Sequence, residues 1–264
     1  MKLKDRGLMK SIKATGEIML QKFLGGVRWP EWELSRGRID KNTYYDRLTE
    51  LVMKRVLKPT SVCIDVGCHE GSILRLMMKY APNGTFFAFE PIPHLYEKLK
   101  ERFKQQNVKI YDLALSDSKG TSSFNYVITN PGYSGLKKRR YDRPHEEDTQ
   151  IEVKTELLDT VLSHDEVGKI SFMKIDVEGG ELQVMRGAQT MISRDKPIIV
   201  FEHGLGASEY YGTKPEDVFD LLCNTCGLGI SLLSNWLRGK PSLDLEALCD
   251  QYYHGKNYYY IAHE

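Results

Sequence analysis

From Ser61 to Phe89 the chain reads SVCIDVGCHEG, then SILRLMMKY, then, after a short break, TFFAF. An apolar run of strand length ends in a glycine turn. A segment of helical period follows, and a second apolar run completes the unit. That order is a βαβ signature, and it forces parallel strands into a sheet covered on both faces. The rhythm continues downstream. Leu95, Leu99 and Phe103 share one helical face, and Val108–Leu115 (VKIYDLAL) reads as a third strand. Ile170–Asp176 (ISFMKID) and Pro197–His203 (PIIVFEH) read as two more, with one helix over Glu181–Ile192 between them. The last strands are expected at Gly229–Leu233 and Asn257–His263, pairing antiparallel at one edge because no capped helix separates them. The expected fold is α/β, doubly wound and Rossmann-like. Its sheet has seven mostly parallel strands, an antiparallel edge and right-handed crossovers.

Two regions stand outside this rhythm. Residues 1–40 read as an N-terminal helical extension ahead of a domain over 41–264. In it Leu8, Ile12, Met19 and Phe23 follow helical spacing, and Gly25-Gly26 stops the pattern. Seven Lys/Arg against two acids over residues 1–28 suit an anionic surface. The modest apolar face favours a helix packed on its own domain or on a second copy, a route to a homo-oligomer. A second helix is expected over Tyr44–Leu57. Residues 121–156 read as a β-hairpin insertion, SSFNYVIT and QIEVKTEL around a long loop, placed to cover a pocket. Its five cations from 137 to 148 suit an acidic acceptor such as a phosphorylated or uronic sugar, but four acids largely cancel them and the loop reads first as a solvated, mobile lid, with Tyr133 and Ser134 turned to an acceptor. Thr213-Lys-Pro-Glu216 reads as a capping box.

Composition narrows the function. A net charge of +1 on 264 residues gives no basic field for nucleic acid. No apolar run is long enough to span a bilayer. Lys10, Lys13, Glu17 and Lys22 interrupt the first apolar residues, so no signal peptide is expected. Five cysteines, an odd and sparse set, suggest reduced thiols and a cytoplasmic protein. Cys223 and Cys226 have ligand spacing without partners and read as core thiols.

The turn after the first strand carries the chemistry. Glycine at 67 and 71 lets backbone approach a ligand, and the next helix offers its N-terminal N–H groups. The stretch is not G-x-G-x-x-G. Asp65 would repel a pyrophosphate but can accept from an ammonium group. Glu90, at the end of the second strand, can accept from both ribose hydroxyls. These features suit S-adenosylmethionine better than NAD.

In this order, IDVGCHEG, FAFEP, LALSD, LDTVL and MKIDVEGGELQVMRGA resemble the FkbM-type methyltransferases, a branch of the class I S-adenosylmethionine-dependent enzymes. The resemblance runs from about Tyr45 to the C-terminus. His69 stands where the family usually has Asn. The resemblance implies that Asp65, Gly67, Cys68 and His69, with Gly71 behind them, surround the methionine moiety. It implies that Glu90 holds the ribose beside Pro91 and Ile92, and that Asp112, Leu113 and Ala114 lie by the adenine.

Methyl transfer to a hydroxyl needs in-line positioning and a base near the fourth and fifth strand ends. His203 titrates in the useful range and is the first choice. Asp176 follows as base or as the group orienting the cofactor's ammonium and the acceptor. Glu178 is a further acceptor contact, and Glu181 steadies a helix start. A metal is not expected, because Asp176 and Glu178 lack a third ligand. The reading is O-methylation of a sugar or natural-product hydroxyl on a small-molecule or glycan acceptor, yielding S-adenosylhomocysteine. N-methylation of a peptide or amide nitrogen is the alternative. From other classes, an NAD-dependent oxidoreductase and a non-catalytic adenosyl-binding protein are carried.

Overall fold

The computed structural model describes residues 30–162 and 167–264. The Leu8–Phe23 pattern, the basic segment 1–28 and the oligomer contact expected there lie outside the described residues. The chain divides into two compact units, 1–51 and 52–264. In the first, α1 (Pro30–Leu34) precedes α2 (Lys41–Val56), which continues into the second unit. Asp40 caps α2 by accepting from the Thr43 N–H at 2.7 Å, so the helix starts three residues before the expected Tyr44.

The second unit is built on a sheet ordered β3-β2-β1-β7-β8-β10-β9. Its strands are β1 (Val62–Val66), β2 (Thr85–Phe89), β3 (Val108–Tyr111), β7 (Ile170–Ile175), β8 (Ile198–Glu202), β9 (Gly229–Leu232) and β10 (Tyr259–His263). Parallel pairing joins β3, β2, β1, β7 and β8, whereas β10 runs antiparallel to both β8 and β9. The antiparallel pairing sits at one edge as expected, with β9 outermost, but a capped helix does separate the two strands: Leu245–Tyr253, where Asp244 accepts from the Ala247 N–H at 2.8 Å. Helices α3 (Ser72–Tyr80) and α4 (Pro93–Arg102) make the first crossovers. The chain winds outward from β1 to β3 and restarts at β7 beside β1. Strand order thus reverses between β1 and β7, the place where open α/β sheets bind ligands. One apolar cluster fills the core, from Ile64 and Phe87 through Met173 to Phe201 and Tyr260.

Three local expectations are revised. The run VKIYDLAL is not one strand. The Glu90 N–H donates to the Tyr111 carbonyl at 3.0 Å, and beyond Asp112 the chain leaves the sheet. Its continuation, β4 (Ala114–Leu115), joins a second sheet, β4-β6-β5, built from the hairpin strands β5 (Gly120–Val127) and β6 (Asp148–Glu156). The single helix over 181–192 is two, α6 (Glu181–Arg186) and α7 (Gln189–Asp195), following the short α5 (Leu158–Val161). The break lies at Gly187, where a Cβ would stand 2.1 Å from the Ser116 carbonyl oxygen. Asp159 then caps α7 by accepting from Thr190 and Met191 N–H groups at 2.8 and 2.9 Å. The capping box at 213–216 is displaced by one residue. The Asp217 carboxylate accepts from the Lys214 N–H at 3.0 Å to open α8 (Pro215–Phe219), while the buried Thr213 hydroxyl has no partner.

Among the described residues, no helix is long and apolar enough to cross a membrane. Cys226 is buried, and Cys223 packs against the same core.

Candidate active site

β1 ends at Val66, and the backbone then turns through Gly67 (φ 75°) and His69 (φ 49°) before α3 begins at Ser72. The turn presses against the end of β7. A Cβ on Gly67 would lie 1.9 Å from the Asp176 carbonyl oxygen. The turn is also tied to β2, because the His69 N–H donates to Glu90 at 2.8 Å. The Ile92 N–H donates to the other Glu90 oxygen at 2.9 Å. Glu90 is 3% exposed, and burial pushes its carboxyl up to about 7 against the pull of these two N–H groups.

Two cavities meet at this turn. The larger, about 600 Å³ including its open mouth, runs from Glu90, Pro91, Ile92, Leu113 and Ala114 to Ser134, Glu178 and Tyr211. The smaller, about 410 Å³, is lined by Asp65, Cys68, His69, Ser72, Lys174 and others. Gly67, His69 and Asp176 line both. Hairpin residues Phe124, Pro131, Gly132, Ser134 and Leu136 wall the larger cavity.

Charge is concentrated at the join. The Lys174 ammonium donates to Asp176 Oδ2 at 2.9 Å, and the Tyr259 hydroxyl donates to the same oxygen at 2.5 Å. Glu178, in the left-handed region at φ 58°, pairs with Arg139, whose guanidinium lies 5.1 Å over the Tyr133 ring. Carboxylate oxygens of Asp176, Glu178 and Glu202 lie within 4.8 Å of one another. Glu202 is thus the third acid that sequence reasoning did not supply. Lys174 pairs with Asp176 and Arg139 with Glu178, so two of the three acids each meet a cation of the protein itself. Burial and the neighbouring charges of Asp176 and Glu181 push the Glu202 carboxyl well above its ordinary range. Glu181 is buried and accepts from the Val177 and Gly179 N–H groups at 3.0 and 3.1 Å, holding the loop that carries Glu178.

Two expected positions are not brought to this cleft. Asp112 lies outside its lining, with a half-exposed side chain 3.8 Å from Lys154, because the chain leaves the main sheet there. His203 points to the opposite face of β8 from Glu202, as strand alternation requires. It is 1% exposed and stacks on Tyr252 with ring centroids 4.6 Å apart. Its Nε2 is buried without a partner, and burial pushes its pKa down to about 4. Between about pH 6.5 and 4 only the unfolded chain takes up this proton, so His203 costs stability as pH falls through that window. The full cost is roughly 3 kcal/mol. Denaturant titrations should therefore show the wild type losing more stability than His203→Phe between pH 7 and 4. Equal losses would mean that the imidazole is not held neutral.

Residues 65–227, more than half of the chain, match the methyltransferase FkbM domain. The chain belongs to the FkbM methyltransferase family. It is an S-adenosylmethionine-dependent methyltransferase. The 2-O-methyltransferase NoeI of Sinorhizobium fredii is 24% identical over 208 residues, spanning 72% of this chain and 78% of that protein. The hexuronic acid methyltransferase AglP of Haloferax volcanii is 30% identical over 136 residues, 52% of each chain. A solved FkbM methyltransferase from Methylobacillus flagellatus covers 95% of this chain and 58% of its own, at 12% identity and a TM-score of 0.49. That superposition is loose, and the family assignment rests on sequence.

Within this FkbM domain, Asp65, Gly67, Cys68, His69, Glu90, Pro91, Ile92, Leu113, Ala114, Asp176 and Glu178 all line one cavity or the other. Gly71 lies just behind, with its Cβ direction blocked by Phe103 at 2.5 Å. Ser134 lines the cleft while its hydroxyl accepts from the Val127 N–H at 2.9 Å. Tyr133 instead stacks on Tyr141 under Arg139. The basic run is not uniformly solvated. The Arg139 side chain is 9% exposed and paired, and Lys138 is bound to Asp148. Lys174, Glu202, Tyr259 and Tyr211 were given no role in the site, although Glu202 was placed beside His203 at its strand end, and Arg139 was weighed only as one of five cations for an acidic acceptor. The first two stood inside quoted strand segments, so strand-end position was the available signal.

Proposed function

We propose that this methyltransferase moves the methyl group of S-adenosylmethionine to a hydroxyl of a sugar or a natural product. One observation carries the reading: Asp176, a charged carboxylate, lines both cavities at their join. The nucleotide half fits an adenosyl group. Glu90 keeps lone pairs for two ribose hydroxyls beyond the N–H groups it already accepts, and Ile92, Leu113 and Ala114 offer an apolar slot for the adenine. The buried Asp65 Oδ2 has no partner and faces the smaller cavity, where the methionine ammonium would satisfy it. Cys68 and His69 complete that side, with Pro91 beside the ribose.

Bound S-adenosylmethionine would supply an electrophilic methyl group to the acceptor hydroxyl, with the C–S electron pair leaving on S-adenosylhomocysteine, and Asp176 would take up the hydroxyl proton. The alkylated oxygen is strongly acidic, so a weak carboxylate base suffices. Glu178, fixed by Arg139, is a second acceptor contact. His203 supports β8 against Tyr252 rather than taking the proton. The hairpin 121–156 closes the acceptor side. The 2-O-methyltransferase and hexuronic acid methyltransferase relatives support an oxygen acceptor on a glycan. The five free thiols fit a reducing cytoplasm.

Calorimetry with S-adenosylhomocysteine and NADH tests the cofactor half. Binding of the first and none of the second is expected; the reverse pattern sinks the reading. Saccharide, peptide and phenol acceptors, read by mass gain of one methyl, test the acceptor half. Methylation confined to peptides would overturn it.

A further inference from the structure

Lys174 lies on β7, 4% exposed, with Asp65 of β1 and Val200 of β8 as its register partners. A lysine is expensive to bury unless its charge is used. Its ammonium donates to Asp176 at 2.9 Å and to the Tyr259 hydroxyl at 3.3 Å, and it stands 4.6 Å over the Tyr259 ring. Titratable groups face Asp176 from the packed elements: Lys174 on its own strand, Glu178 and Glu181 just after it, Asp65 on β1, His69 on the turn that follows β1, Glu202 on β8 and Tyr259 on β10. Acids outnumber cations in this set, so the acids do not all ionise together.

We propose that Lys174 is a positioning residue for methyl transfer, whose buried ammonium keeps the Asp176 carboxylate charged and aimed into the join between the two cavities. The proposal rests on the reading of Asp176 as the proton acceptor. Geometry supports the selection, because Lys174 and Tyr259 both donate to one oxygen of Asp176. Electrostatics agree. Burial pushes the Asp176 carboxyl up, but the charge and hydrogen bond of Lys174, with hydrogen bonds from Tyr259 and Glu202, hold it below its ordinary value. Asp65 has no such donor on Oδ2, and burial pushes it up to about 7 even with Lys174 nearby. The lysine thus divides the protons: Asp176 stays charged while its neighbours hold theirs.

The consequence has a definite sign. Without the cation, Asp176 binds its proton more tightly and is a competent base only at higher pH. The negative potential facing the methionine cavity grows, so cofactor affinity does not fall. A lysine with only a packing role would weaken cofactor binding and turnover together.

The test follows the carboxyl carbons of ¹³C-aspartate-labelled protein through a pH titration, with the Asp176 resonance assigned by its loss in Asp176→Asn. In Lys174→Met that resonance should titrate at least ~1 unit higher, a tenfold tighter proton. Lys174→Arg should restore most of the difference, and Tyr259→Phe should move it the same way by less. If the methionine variant does not fold, Lys174→Gln replaces it. S-adenosylhomocysteine affinity, by calorimetry, should be unchanged or higher. With a saccharide found in the acceptor screen as probe, the acid limb of the kcat–pH profile should move to higher pH together with the Asp176 titration, with little change in KM for the cofactor. An Asp176 titration unmoved in the folded lysine variant overturns the proposal. Full turnover in Asp176→Asn instead sinks the reading of Asp176, a result from a different variant.

Discussion

Asp176→Asn is expected to lower kcat by about 10²–10³-fold, with S-adenosylhomocysteine affinity changed by no more than a few-fold. The amide keeps the size of the carboxylate and can still accept from Lys174 and Tyr259, which now donate at 2.9 and 2.5 Å. It loses the charge that takes up the acceptor's proton. Asp176 lines both cavities, which in the proposed reading is where cofactor and acceptor meet. Single-turnover measurements at saturating cofactor separate this loss from a binding defect. A fall of less than about threefold would exclude a proton-accepting role and leave positioning as the main source of rate.

The second large effect is structural and reaches the same atoms. Gly67→Ala should destabilise the domain by about 3–4 kcal/mol, combining left-handed strain with overpacking. The added Cβ would lie 1.9 Å from the Asp176 carbonyl oxygen and 3.3 Å from Val177 Cγ1, at φ 75°. The first obstacle is backbone and cannot rotate away. Relief requires β1 and β7 to part at their carboxyl ends, where the Asp176 N–H donates to the Val66 carbonyl at 3.0 Å. A Tm about 10 °C lower and loss of cofactor binding are expected. Gly212→Ala is the control: its φ is 70° but nothing lies within 4 Å of the new Cβ. It should cost only about 1–2 kcal/mol, the strain alone. Equal losses in the two variants would show that contact between strand ends is not what requires glycine at 67.

Much of the cleft around the turn after β1 was legible because it depends on local order. Strand, turn glycine, helix and the next strand's terminal acid follow one another along the chain. Asp65, Gly67 and Glu90 therefore line the cleft as their spacing implies. The acceptor end was less legible. PIIVFEH offers two polar residues at a strand end, and alternation sends them to opposite faces without saying which face holds the cleft. Packing on Tyr252 decided it, turning His203 inward and Glu202 toward Asp176. Lys174 in ISFMKID looked like the polar interruption of an apolar strand. Its use appears only with Asp65 and Tyr259 beside it, 109 residues before and 85 after in sequence. The basic loop was misread as a solvated lid because charge counting cannot see that Arg139 finds Glu178 across 39 residues.

By itself, the sequence determined an alternating α/β sheet that reverses order at one point, with a glycine turn and an acid where an adenosyl group fits. Period, turn chemistry and strand length are local properties, and a chain carries them without its neighbours. Tertiary structure alone decided which acids share one pool of charge, which of them pair with lysine and arginine, and which face of β8 meets the cleft. Coulomb interactions and burial depend on distance in space, and strands far apart in sequence supply those distances.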